Sequence, residues 1–357
     1  MHKELSERIQ AVKPVDKQLL VPAQAHLDNL TKPRGSLGRL EELAARLYCV
    51  GGGQRPLRVD PARIFTVAGD HGVAAEGVST FPQEVTRQMV LNFANGGAGI
   101  NVLCKTAGVD LRVVDAGCLG GPFPEHPNLI QRKVAEGTAN LSRGPAMDEE
   151  TVTKALLLGM SLADEAHADG CRCIGTGDMG IANTTPSTAL FAAYLGMDPA
   201  TIVGPGTGLD HEGMARKVDA LHRALVVNGD VVKSGDALAI LGALGGLEIA
   251  TLAGLIIGAA SHGMVCAVDG FISTAAYTAA WKLCPAVKEY CVLSHASAEP
   301  GYMTVVSALG HSPLLHLAMR LGEGTGAALA IFLMRAAADI FNDMATFADA
   351  GVAEAAV

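Results

Sequence analysis

The chain runs to 357 residues with a net charge of −9; 49% of its residues are apolar, 18% charged and only 4% aromatic. A chain of this length can bury a sizeable core in one large domain or two ordinary ones, and its 42 glycines imply many tight turns, which suits a large α/β enzyme rather than a fibre or a disordered chain. The acidic balance argues against a general nucleic-acid binder, which needs a basic excess to neutralise phosphates.

Taken in chain order, residues 1–59 carry helix signals. The polar start "MHKELSERIQAVKPVDKQ" lacks a secretory apolar core, so a cytoplasmic protein is expected. In "KPRGSLGRLEELAARL", Ser36 can cap a helix whose Leu37, Leu40, Leu43 and Leu47 form an apolar stripe. Short apolar runs follow, each ending in small, polar or acidic residues. "RIFTVAGDHG" stops at Asp70-His71-Gly72, "LRVVDAG" at Asp115 and "CIGTGDMG" at Asp178. "IVGPGTG" stops at Gly204 to Gly208, "MVCAVDGF" at Asp269 and "YCVLSHASAEPG" at His295 to Glu299. Alanine-rich helical stretches separate several of these runs. Continuously apolar strands alternating with helices predict an α/β fold with a doubly wound, mainly parallel sheet. Ligands of such sheets bind beyond the strand C-termini, where these polar residues should collect.

The run "TLAGLIIGAASHGMVCAV" (251–268) nears membrane-span length. Glu248 before it, His262 within it and "VDGF" after it make it a buried helix leading into a buried strand, so no membrane partner is expected. From about Thr325 a long helix closes the chain. The expected division is a 60–324 α/β core for nucleotide and base, with 1–59 and 325–357 forming a smaller helical subdomain beside it. Eight cysteines, adjacent only as Cys171 and Cys173, read as reduced core thiols, because no C-x-x-C pair offers zinc spacing.

Several motifs carry chemistry. Gly175, Gly177 and Gly180 make a formal G-x-G-x-x-G with Asp198 as the later acid, yet Pro186 delays the helix that a dinucleotide site requires. With Thr185 as cap and Pro186 at the first helical position, the loop becomes a longer turn suited to a single phosphate. An ordinary capped turn is the alternative. "GPGTGLD" (204–210) precedes Lys217 and Arg223; Lys217 can meet an anion as a point charge, or be a solvated surface lysine. Asp70, His71, Glu76 and Glu84 have ligand chemistry but no metal spacing, so a hydrogen-bonded Asp–His turn is expected. Glu323 sits between two glycines just before the last helix, whose expected cap is Thr325. The helix end favours its ionised form while burial favours the neutral one. "GEGTG" can also be a simple turn.

With these motifs in hand, the chain resembles the nicotinate-nucleotide–dimethylbenzimidazole phosphoribosyltransferase family. The resemblance rests on "KPRGSLGRLE" (32–41), "DHGV" (70–73), "FPQEVT" (81–86) and "GTGDMGIANTT" (175–185). It continues through "VDGF" (268–271), "SHASAEPG" (294–301) and "MRLGEGTGAALA" (319–330), in order and over nearly the whole chain. It implies transfer of phosphoribosyl from nicotinate mononucleotide to 5,6-dimethylbenzimidazole with inversion, a Rossmann-like core, a homodimer, and no metal or organic cofactor. It places the general base on Glu323 and a charge stabiliser on Asp178, where the family often has Glu. It implies nucleotide-phosphate contacts at Gly177, Gly180, Asn183, Thr184 and Lys217. The base pocket falls on Phe81, Gln88, Met89, Met179 and Leu321. The alternatives are a nicotinamide-dependent oxidoreductase built on Gly175, Gly177 and Gly180, and a non-catalytic nucleotide-binding protein.

Overall fold

The computed structural model describes residues 2–353. Among them six strands form one sheet: β1 (Ala62–Gly69), β2 (Asp110–Gly117), β3 (Leu129–Gln131), β4 (Cys173–Met179), β5 (Val265–Val268) and β6 (Cys291–Leu293). Every pairing is parallel, and the order is β3-β2-β1-β4-β5-β6. This is the Rossmann order. The chain winds outward from β1 in one direction, then from β4 in the other, opening a crevice at the switch point between them.

Alternate strand residues feed two cores. Phe65, Val67 and Val114 face one, with helices Glu149–Ala168, Thr184–Leu195, Leu247–Ser261 and Phe271–Leu283. Ile64, Ala68 and Val113 face the other, with helices Arg39–Val50, Gly99–Ala107 and Thr325–Asp343. Burial on both faces is why the strands read as unbroken apolar runs. Leu247–Ser261 and β5 together account for the 251–268 run, buried inside the protein. The Thr325–Asp343 helix buries Ala327, Ile331 and Met334 against the sheet and meets Arg39–Val50. At the N-terminus, Lys3–Ala11 instead sends Leu5 into the opposite core, and Arg8 pairs with Asp164 at 2.6 Å.

Two expected elements differ, and one strand was not expected. "IVGPGTG" is not a strand: Pro199–Ile202 is one helical turn, its first N–H groups served by Asp198, and a loop follows. Pro199 suits a helix start, and the positive φ of Gly206 (+55°) and Gly208 (+104°) is incompatible with extended backbone. Asp198 is thereby spent as a cap. The Arg39–Val50 helix starts after Gly38 rather than Ser36. There the buried Glu41 accepts the Leu37 N–H at 3.0 Å and pairs with Lys32 at 2.8 Å, holding the entry turn. Finally, β3 has only three residues, too few for a readable alternation.

Candidate active site

Asp70 follows β1, Asp178 lies near the end of β4, Asp269 follows β5 and His295 follows β6. Segments following β4, β5 and β6, with residues 78–81 and 320–322, enclose a crevice of about 280 Å³ whose walls include Met179, Gly180, Asn183, Thr184, His295 and Leu321.

Glu323 is held by three consecutive left-handed residues: φ is +79° at Gly322, +64° at Glu323 and +101° at Gly324. A non-glycine residue in this region is strained and persists only where its surroundings hold it. Thr66 Oγ1 donates to its carbonyl at 2.6 Å, and the Ile100 N–H donates to its Oε2 at 3.0 Å. The side chain is 5% exposed, and its carboxylate stands beside Leu321 at Gly99. Burial raises its pKa and outweighs the Ile100 hydrogen bond. The competition between helix end and burial is thus resolved in favour of burial, which makes the ionised form a stronger base. "GEGTG" is no simple turn.

The expected cap, Thr325, is instead the first residue of the helix, and its hydroxyl donates to Gly322 O at 2.8 Å. The capping task falls to Asp269, whose carboxylate accepts N–H groups from Gly324 (3.1 Å), Gly326 (2.7 Å) and Ala327 (3.2 Å). Burial raises its pKa to about 7 even against those donors.

Gly175 and Gly177 lie inside β4, not in a turn. Gly177 is not on the crevice wall; a Cβ there would fall on the Glu323 carbonyl and the Gly324 nitrogen. Gly180 does line the crevice. The next helix begins at Thr184 after Asn183, so Thr185 is not its cap. Asn183 gives no side-chain cap because its amide donates to Asp178 Oδ2 at 3.0 Å. Asp178 Oδ1 is buried without a partner. Burial, then the neighbouring Asp269, Glu248 and Glu323 charges, push its pKa well above the ordinary 3.8. A raised carboxylate contributes stability below its unfolded pKa and loses it as pH rises through the folded value. Asp178→Asn is therefore expected to raise Tm at pH 8 and leave it nearly unchanged near pH 4. Calorimetry at both pH values checks this, and a lower Tm at pH 8 contradicts it.

Lys217 is 0% exposed, not a solvated helix lysine. Its Nζ donates to Thr184 Oγ1 at 2.7 Å and Gly204 O at 2.8 Å, and burial lowers its pKa to about 8. It braces the 204–208 loop against the helix start, while Arg320 donates to Gly206 O at 3.0 Å. Arg223 is used elsewhere, 2.9 Å from Glu76.

Among the described residues no three His, Cys, Asp or Glu side chains are grouped for a metal. The expected Asp–His turn is replaced by a fully buried pair, with His71 Nε2 2.7 Å from Glu248 Oε1, while Asp70 accepts the Leu119 N–H. Burial works against the charged His71 ring, but the Glu248 charge and hydrogen bond raise its pKa overall. Of the expected base pocket, Phe81, Met179 and Leu321 line the crevice, with Phe81 and Leu321 exposed. Gln88 and Met89 do not: on the Glu84–Ala94 helix, Gln88 faces solvent and Met89 packs on the second core. His295, Ser297, Glu299 and Arg320 also line the crevice, and none was singled out as a ligand from sequence. The hint was the alternation in "SHASAEPG".

A nucleotide-binding enzyme with its ligand site at the switch point of a doubly wound sheet is the class this crevice defines. The dinucleotide reading fails, because two of its three glycines are strand residues and its acid is a cap. A family model described as phosphoribosyltransferase matches residues 12–352. The nicotinate-nucleotide–dimethylbenzimidazole phosphoribosyltransferase of Nitratidesulfovibrio vulgaris strain DP4 is 77% identical over 355 residues, 99% of each chain. That of Solidesulfovibrio magneticus is 67% identical over 99% of this chain and 100% of its own. The crystal structure of CobT from Thermus thermophilus is similar with a TM-score of 0.89 at 43% identity, covering 95% of this chain and 100% of that one. The chain belongs to this phosphoribosyltransferase family.

Proposed function

We propose that the protein transfers 5-phosphoribosyl from nicotinate mononucleotide to 5,6-dimethylbenzimidazole, in the assembly of the cobalamin lower ligand. The products are α-ribazole 5′-phosphate and nicotinate. The observation that carries the chemistry is the buried, strained Glu323, whose carboxylate stands beside the apolar Leu321 on the turn that borders the crevice through Leu321 and Gly322.

The donor ring is a pyridinium. As the C1′–N bond breaks, its electron pair returns to the ring nitrogen, so nicotinate leaves without a proton. One benzimidazole nitrogen forms the new bond from the opposite face of C1′, which inverts the anomeric centre. Its other nitrogen must lose a hydrogen, and Glu323 takes it. One carboxylate suffices, whereas a leaving alkoxide also needs an acid. Asp178, near the reacting end, supports positive charge developing on the ribose when it is ionised. The Gly180–Thr184 segment and the Lys217-braced loop supply the phosphate end. We extend the proposal to a homodimer, checked by light scattering in solution. The eight free cysteines support a reducing, cytoplasmic setting.

The test is incubation with nicotinate mononucleotide and a panel of flat bases, with products resolved by mass and the anomer assigned by NMR. An α-linked riboside phosphate is expected. A β-linked product, or no product with any base, defeats the proposal.

A further inference from the structure

A second hollow lies at the opposite end of the sheet from the catalytic crevice. It measures about 460 Å³, and its walls come from the 47–58 stretch, from Arg172 just before β4 and from the 262–265 turn that enters β5. These are the N-terminal ends of the strands. The seven residues of β4, about 20 Å at the usual rise per strand residue, separate the hollow from the crevice.

Its charge is the reverse of the chain's. The protein as a whole carries −9, yet this wall holds Arg55, Arg58, Arg172 and His262 and no carboxylate. Asp60 and Asp169, near Arg58 and Arg172 in sequence, are taken by Arg335 at 2.7 Å and Arg63 at 2.8 Å. The three guanidiniums are uncommitted. Among the described residues only those of Arg34, Arg55, Arg58 and Arg172 make no hydrogen bond or ion pair, and three of these four line this one hollow. Arg55 is nonetheless oriented, because its Cζ stands 4.7 Å over the Phe341 ring, a contact that uses none of its N–H groups. The backbone carrying Arg55 and Arg58 is fixed as well. Leu57 N donates to Asn342 Oδ1 at 2.8 Å, and Leu57 O accepts from Asn342 Nδ2 at 3.0 Å. On the facing wall the Arg172 N–H donates to Pro61 O at 2.8 Å.

Unpaired arginines scattered over a surface mean little. Gathered on anchored backbone around one acid-free hollow, they describe an anion receptor. Each guanidinium presents a planar fork that fits two oxygens of a phosphate. Three forks in a volume typical of small-molecule sites suit linked phosphates better than a lone ion. Leu47, Val50, Pro56 and Leu57 add an apolar wall that inorganic phosphate cannot use and a flat ring can. We infer that this hollow is a second ligand site, for a nucleoside di- or triphosphate, separate from the crevice and independent of the chemistry proposed there.

The experiment is calorimetric titration of the full chain, without metal, using ADP and AMP as probes. ADP is expected to saturate at one site per chain and to bind about tenfold or more tighter than AMP. Its affinity should fall as salt rises, because the forks are exposed. Saturating nicotinate mononucleotide should leave ADP affinity unchanged, since the crevice proposed for it lies at the other end of the sheet. Arg58→Gln and Arg172→Gln are each expected to weaken ADP about tenfold, the scale of one charge-assisted hydrogen bond. Neither should lower Tm, because neither guanidinium holds any part of the fold. No saturable ADP binding up to about 1 mM overturns the site. So does equal affinity for AMP and ADP, displacement of ADP by nicotinate mononucleotide, or ADP affinity that both variants leave intact.

Discussion

Glu323→Gln is expected to lower kcat for base phosphoribosylation by about 10²–10⁴ while leaving nicotinate mononucleotide binding intact, the usual scale for losing a positioned general base. Glutamine keeps the shape and can still accept the Ile100 N–H through its carbonyl oxygen. Only the proton-accepting capacity disappears. The pH profile adds a second readout. Burial raises the Glu323 pKa above its ordinary 4.5. As pH falls through the raised value the carboxylate is protonated and the rate of the unaltered enzyme drops. That acid limb should therefore begin at a higher pH than an exposed glutamate would give, and be missing from the residual rate of the variant. Stability moves the other way: a raised carboxylate loses its contribution as pH rises through the folded pKa, so removing the charge should not lower Tm at pH 8. Undiminished turnover in a folded variant would remove Glu323 from the mechanism.

Gly177→Ala is expected to be nearly as damaging, although the residue need touch no substrate. Its Cβ would overlap the Glu323 carbonyl and the Gly324 nitrogen, both backbone atoms that no rotamer change can clear. The turn holding Glu323 must then shift outward, stretching the Thr66 bond to its carbonyl. A displacement near 1 Å at a reacting group costs about 10² in rate. The signature is a fall in kcat with a small change in donor affinity, together with a loss of Tm from the crowded contact. An alanine variant with normal kcat would show that the turn has slack and that the strain at Glu323 is unimportant.

Much of this was legible in the sequence because the governing interactions are local. Apolar runs with acidic ends gave five of the six strands, and two flanking glycines announced a special backbone at Glu323. What escaped depends on partners far away in the chain. Gly177 matches a phosphate-loop pattern, but it is glycine because residue 323 crosses over it. Thr325 looks like a cap, yet Asp269 serves the helix from 55 residues earlier along the chain, measured to Gly324. Lys217 looks like surface on its own helix, and only the 204–208 loop and Thr184 bury it. "IVGPGTG" has strand-like composition, but the helical turn started by Pro199 and the left-handed Gly206 and Gly208 forbid the pairing. Gln88 and Met89 neighbour a motif residue in sequence, but helical geometry turns them away from the crevice.

Glu323, the proposed proton acceptor, sits on the bend just before the long Thr325–Asp343 helix, a helix seated on the sheet and pinned at its start by Asp269. It is therefore part of the chassis, not of a movable flap. Any adaptation to incoming rings of differing size falls to the exposed wall residues Phe81 and Leu321. A diversifying lineage would be free to redesign that wall while its proton acceptor stayed where the frame put it.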